Sequence, residues 1–474
     1  MGLMMDRTNE VVRGGLFGTS PANVRYRSQL VAHPYFLVAT LLFVLQIPFG
    51  LFLAAQYVWP RFLLNTLPFN VNRASHLNLL IFWVLTGLMG AAYYLIADET
   101  ESEIYSIRLA RVQLGIMLVA VVGTLVGFWF FREGLGFLGK PFTESPYPWP
   151  WLIASSIVLF LVNIGVTLYR SRRWTPISSI LFGGMLALAG LYMIDMVFIR
   201  NLTVDFYWWW WIIHMWVEGA WELIAAAVMA YLLVRMTGVE RTRLYKWLYL
   251  EVMLVLFTGI LGMGHHYYWI GTPAYWLTVG AVFSVLQPVP IVLMAIDAMT
   301  DMRHRGSEPV NRVGWYWLGG SAILHFFGAG VYGFAQTLPQ INKWTHGTQI
   351  TASHGHLAFF GAFAMLVLAA IYYASPQMRG ITNLRERLGM RAFWLMSGGM
   401  VWMVLAFTIA GIVQVYLWRL VGLDFMTVRT QYERFWLFWV FFFGITMFLP
   451  GVLVFAWDFM RLKSDDNPGR EAGS

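Results

Sequence analysis

Six histidines and two glutamates sit where hydrocarbon is expected. Three of these groups recur on one run of sequence, "HMWVEGAWE", as His214, Glu218 and Glu222 at i, i+4 and i+8. On an α-helix that spacing puts them on one face. A histidine and a carboxylate four apart can bind one metal ion. His265 and His266 stand side by side at the end of the next apolar run, in "GMGHHYYW". Adjacent residues reach one ion only if the last helical turn is loosened. Together His214, His265, His266 and Glu218 make an N3O donor set suited to iron or another first-row metal. His354 and His356, in "ASHGHLAFF", are two apart on a helix and so about 200° apart around its axis. They cannot serve one partner, but each can ligate a separate haem iron. His356 with His76, from "NRASHLNLL", would give a six-coordinate haem. His354 alone would leave a haem with an open face, turned toward the N3O metal.

Such groups are costly inside a membrane, and this chain is built for one. Of its 474 residues 59% are hydrophobic and 12% charged, against about 25% charged in soluble domains. Twelve apolar runs are long enough to span a bilayer, which takes about 20 residues each. They are continuous and not ten-residue alternations, which fits an all-α polytopic bundle better than a barrel. We read one membrane domain over residues 1–474: a cytoplasmic segment 1–33, a twelve-helix bundle 34–460 and a cytoplasmic tail 461–474. Of the 32 Lys and Arg residues, 23 fall on the side of the termini and 9 on the other. The positive-inside rule therefore puts both ends in the cytoplasm. The net charge of +8 is a topology signal and implies no nucleic-acid partner. Residues 1–33 have no short apolar core of the kind a cleavable signal peptide carries. The chain has no cysteine, which excludes disulfides, iron–sulfur clusters and covalent c-type haem on this subunit.

"PFNVNRASHLNLL", "FYWWWWIIHMWVEGAWEL", "GHHYYWIGTPAYW", "THGTQITASHGHLAFFGA" and "GIVQVYLWR", in that order, resemble segments of the haem–copper oxidase superfamily. More closely they resemble the large, cytochrome b subunit of cytochrome c-dependent nitric oxide reductases, over roughly residues 30–460. The resemblance implies that His76 and His356 ligate a low-spin haem b and His354 a high-spin haem b3. It implies that His214, His265, His266 and Glu218 bind a non-haem iron, and that Glu222 supports the site or its proton supply. It also implies a calcium ion at the haem propionates, for which Glu133 is the expected ligand. In "VFSVLQPVPI" the position of Gln287 is usually a glutamate in those reductases. Glutamine can hydrogen-bond there but cannot carry charge or relay a proton as an acid.

The activity implied is 2 NO + 2 e⁻ + 2 H⁺ → N2O + H2O in the inner membrane of a bacterial respiratory chain. Electrons would come from a membrane-anchored cytochrome c subunit fed by a soluble cytochrome c or a cupredoxin, and not directly from quinol. Two alternatives stand beside it. One is oxygen reduction on the same frame, with copper in the non-haem site, prompted by Gln287. Against the usual pumping oxidase, Glu218 stands four residues after His214 where many oxidases have a tyrosine. Lys140, Lys246, Lys343 and Lys463 all lie in loops or at ends. The other alternative is a transporter with a buried charged site, which the density of histidines disfavours. His325 has no partner by spacing and is expected to be a hydrogen-bonded core residue. His346 is expected to serve its loop.

Overall fold

The structure is a computed structural model and describes residues 23–130, 142–197, 199–284 and 289–462. Gln287, Glu133, Lys140 and Lys463 lie outside the described residues. Every regular element among those described is helical. We number the elements α1 (Arg27–Val58), α2 (Phe69–Glu99), α3 (Ile107–Phe130), α4 (Trp149–Ser171), α5 (Pro176–Asp195), α6 (Leu202–Thr237) and α7 (Arg241–Tyr267). Then come α8 (Ala274–Phe283), α9 (Val289–His304), α10 (Arg312–Thr337), α11 (Pro339–Thr345), α12 (Gln349–Met378), α13 (Arg387–Leu420) and α14 (Phe425–Met460). Eleven of these are long and apolar enough to cross a membrane. The twelfth expected span, centred near Val285, is described only as the shorter helices α8 and α9 on either side of residues 285–288. The chain is a multi-pass membrane protein.

Burial separates the helices by role. The apolar centres of α2, α12 and α6 are 94%, 89% and 78% buried, whereas none of the other eight spans exceeds 56%. The three enclosed helices carry His76, His354, His356, His214 and Glu218. The outer helices turn residues such as Val119, Val122, Leu186, Phe257 and Trp402 outward, as lipid-facing surfaces require.

Small residues set the distances between enclosed helices, as is usual in membranes. A Cβ on Gly87 of α2 would stand 2.3 Å from Val367 Cγ1 of α12. One on Gly361 of α12 would stand 2.5 Å from the Leu324 carbonyl carbon and 2.6 Å from the His325 nitrogen of α10. The acids at the end of α2 are neutralised by the end of α6 and the start of α7. Asp98 pairs with Arg235 and accepts from the Tyr231 hydroxyl at 3.0 Å, and Glu99 accepts from Arg241 at 2.8 Å and from Thr175 at 2.6 Å.

Gly361→Ala must push α10 and α12 apart. We expect a loss of about 1–3 kcal/mol, read as a lower thermal midpoint of the detergent-solubilised protein. An unchanged midpoint would show that the two backbones are not in contact.

Candidate metal centre and haem-ligand histidines

The helical run of α6 is interrupted by a π-helical segment, Met215–Trp221, immediately after His214. Its wider turn alters the simple i+4 arithmetic. Glu218, inside the segment, still meets His214, with Nδ1 and Oε1 3.4 Å apart. Glu222, beyond it, does not share that site: the expectation that all three groups converge fails for Glu222. Its Oε1 lies 3.1 Å from Nε2 of His325 on α10. His325 is thus a hydrogen-bonded core histidine, as expected, and its partner is Glu222.

The last turn of α7 is loosened as adjacent histidine ligands require. Gly262–Tyr267 is a 3₁₀ segment, and its tighter winding aims His265 and His266 to one place. Both Nε2 atoms face Oε1 of Glu218, at 3.2 and 3.1 Å. Glycine makes this possible. A Cβ on Gly264 would lie 2.1 Å from the Trp276 carbonyl oxygen, and one on Gly280 would lie 2.3 Å from the His265 nitrogen. Thus α8 packs backbone to backbone against the histidine segment, and the glycine before the two histidines is a packing requirement.

The hydrogen bonds fix which ring nitrogens face inward. The Ser284 hydroxyl donates to the Gly280 carbonyl at 2.7 Å, so it accepts from His265 Nδ1 at 2.6 Å and leaves Nε2 bare. His214 donates from Nε2 to the Thr258 carbonyl at 3.2 Å, and its buried Nδ1 has no hydrogen-bond partner. Trp210 stacks on the His266 ring, centroids 4.9 Å apart and planes 17° from parallel. Three imidazole nitrogens and one carboxylate oxygen thus converge, all within 4.8 Å of one another. The 3.1–3.4 Å gaps to Glu218 match two ligands of one tetrahedral ion with bonds of about 2 Å. The donor set fits a first-row metal, held between α6 and α7.

The other three histidines follow the same rule. His354 donates from Nδ1 to the Gly328 carbonyl at 2.9 Å, and His356 donates from Nδ1 to the Ala352 carbonyl at 2.8 Å. His76 Nδ1 faces the Gln46 carbonyl at 3.4 Å. Each leaves Nε2 free, as an axial haem ligand requires. The His76 and His356 rings face each other with centroids 6.4 Å apart and planes 28° from parallel. Their Nε2 atoms are the two nitrogens that an iron between α2 and α12 would use. His354 points to the other side of α12, against α10. Glycine again clears the space: a Cβ on Gly50 would be 2.7 Å from His76 Cε1, and one on Gly333 3.2 Å from His354 Cε1. Both histidine environments fit the group proposed for them.

Glu144 and Glu251 are among the buried acids that were not singled out in the sequence. Glu144 precedes α4 and is 1% exposed; it accepts from Arg73 at 2.8 Å and from Asn78 at 2.9 Å, on either side of His76. Burial pushes its carboxyl up, and the Arg73 charge and the Asn78 hydrogen bond draw it back. Glu251 of α7 is 1% exposed, and both its oxygens lack a hydrogen-bond partner among the described residues. Neither acid lies at helical spacing from a ligand, so pattern reading had no signal for them. His346 lies in its loop, where its carbonyl accepts from Arg419 at 2.7 Å.

Residues 30–447 match the family model described as cytochrome C and quinol oxidase polypeptide I. The chain belongs to that family, the haem–copper oxidases. Within it the chain is an oxidoreductase and a relative of the nitric oxide reductases: it is 40% identical to a nitric oxide reductase subunit of Stutzerimonas stutzeri, over 93% of this chain and 96% of the relative. It is 23% identical to a cytochrome c oxidase subunit 1 homolog of Azorhizobium caulinodans, over 90% of this chain and 80% of the relative. A solved haem–copper terminal oxidase dimer shares the fold, with a TM-score of 0.67 at 14% identity, covering 91% of this chain and 83% of that one. Family membership removes the transporter alternative.

His265→Ala or His266→Ala should abolish the bound non-haem metal, measured by elemental analysis, and leave the haem spectrum intact. Ser284→Ala removes only the partner of His265 Nδ1 and should weaken metal binding 10–100-fold, roughly the usual cost of losing such a support. Retained metal in the histidine variants would contradict the site.

Proposed function

We propose that this chain reduces nitric oxide to nitrous oxide at a dinuclear centre of haem b3 and a non-haem iron. The observation that carries the reading is the N3O donor set with its carboxylate, together with the 40% relative named as a nitric oxide reductase subunit. An oxygen ligand among three imidazoles favours iron over the copper that an all-imidazole site would suit.

In this reading His214, His265, His266 and Glu218 hold the iron, His354 holds haem b3, and His76 with His356 holds the low-spin haem b. The groups those residues would hold would supply redox chemistry and places for two small diatomic molecules, which would make their coupling a local event. Glu222 stands beside the site: it is four residues past Glu218, and its Oε1 lies 3.1 Å from Nε2 of His325, the two residues being 5% and 1% exposed. Proton delivery by a positioned acid is its proposed role. Gln287 replaces the usual acid with an uncharged hydrogen-bonding group. Electrons arrive from a membrane-anchored cytochrome c subunit and, through it, from a soluble cytochrome c or cupredoxin. We place the protein in the bacterial inner membrane with both termini cytoplasmic, on the asymmetry of Lys and Arg. A calcium at the haem propionates, with Glu133 as a ligand, belongs to the same proposal.

One specific observation keeps a second reading. Gln287, together with relatives named as oxidase subunits, fits oxygen reduction with copper in the metal site.

The deciding assay is anaerobic nitric oxide consumption with reduced cytochrome c, following N2O, and then oxygen uptake on the same sample. We expect rapid N2O formation. No N2O with brisk oxygen uptake and bound copper would establish the second reading. Glu222→Gln should slow N2O formation on the order of 10²-fold with both haem spectra unchanged. A full-rate Glu222→Gln enzyme would remove that residue from proton delivery.

A further inference from the structure

The haem-ligand helix α12 does not begin on its own hydrogen bonds. Its first residue, Gln349, has a backbone N–H with no partner inside the helix, as at every helix start. That N–H donates to Oε1 of Gln414 at 2.7 Å, a side chain of α13. The Nε2 of Gln414 donates to Oε2 of Glu433 at 2.6 Å, and the Nε2 of Gln349 donates to Oε1 of Glu433 at 2.7 Å. Glu433 belongs to α14 and is fully buried. The result is a closed ring of three side chains from three helices, in which one carboxylate accepts from two amides.

From this geometry we infer that Glu433 is a positioning residue for haem binding, fixing through Gln349 and Gln414 where α12 presents His354 and His356. The inference rests on the haem reading above.

Three further contacts make the ring matter at the histidines and not only locally. First, α13 is pressed against the first turn of α12: a Cβ on Gly411 would stand 2.5 Å from both the nitrogen and Cγ1 of Ile350. Second, Ser353, the residue before His354, binds the Val404 carbonyl at 3.1 Å and the Thr408 hydroxyl at 2.7 Å, both on α13. Third, the His356 ring rests on Phe407 of α13, centroids 5.0 Å apart. So α13 is the wall that registers this turn of α12, through Ser353 beside His354 and through the His356 ring itself. Gln414 and Glu433 fasten the start of α12 to that wall. A buried carboxylate is suited to this because both its oxygens accept, and both donors here are amides with no water to turn to. Alanine at 433 leaves two buried amides unpaired and frees the N-terminus of the helix that carries both ligands. A glutamine at 433 has one acceptor and one donor, so it keeps one bond of the two.

The test is spectroscopic and uses the complete membrane complex. The low-spin share of the haem is read in the oxidised and reduced spectra at measured haem content, with the midpoint potential of the low-spin haem. In Glu433→Ala we expect partial loss of the low-spin signal with haem content retained, and a shifted potential. Glu433→Gln should lie between that variant and the unaltered protein. The exchanged pair Gln349→Glu with Glu433→Gln restores one donor facing one acceptor and should bring the spectrum back. Thr430→Ala, exposed on the same π segment, should change nothing. If Glu433→Ala does not accumulate, the Glu433→Gln and exchanged-pair spectra decide. Both haems present and low-spin signal and potential unaltered in Glu433→Gln would overturn the inference. An unaltered protein that purifies without haem would overturn the haem reading itself, a separate result.

Discussion

A single carboxylate oxygen, Glu218 Oε1, lies 3.1–3.4 Å from three imidazole nitrogens that reach it from two helices. Inside a membrane such a cluster is tolerated only if each remaining polar atom is satisfied by protein, because no bulk water is there to do it. The structure meets that demand at four of the histidines. His214 gives its other nitrogen to the Thr258 carbonyl and His265 gives its own to Ser284. His354 and His356 give theirs to the Gly328 and Ala352 carbonyls. Each bond also selects the tautomer whose second nitrogen points inward. Satisfying the membrane and preparing the metal ligands are one operation here.

The backbone adjustments follow from the same demand. Regular α-helices would space His214, Glu218 and Glu222 on one stripe and point His265 and His266 apart. The π segment in α6 and the 3₁₀ segment at the end of α7 are departures in opposite senses, one wider and one tighter. Together they draw four donors to a point and send Glu222 to His325. Glycines at 264 and 280 let α8 lie directly on the histidine segment and hold the tightened turn in place. Elsewhere, Gly50 and Gly333 leave room beside His76 and His354. These small residues keep the imidazoles accessible where a methyl group would press on them.

The composition and the apolar runs carry the bundle, since only helices of that length satisfy their own backbone in lipid. The clustering of His214, Glu218, His265 and His266 was legible from spacing, and the opposed faces of His354 and His356 from the 100° step of the helix. The destination of Glu222 was not: it depends on a π segment, for which "MWVEGAW" gives no pattern. Nor were Glu144, Glu251 or the Glu433 ring legible, because their partners are 19 to 84 residues away or absent among the described residues. Spacing reports neighbours on one helix, and these contacts are made between helices.

The central claim is that His214, Glu218, His265 and His266 hold one metal ion. The most direct measurement is an anomalous-difference map of the purified complex, collected above and below the iron absorption edge. One iron peak is expected, bounded by those four side chains and separate from the haem irons. A map with haem iron peaks alone, and Glu218 still resting against bare imidazoles, would contradict it.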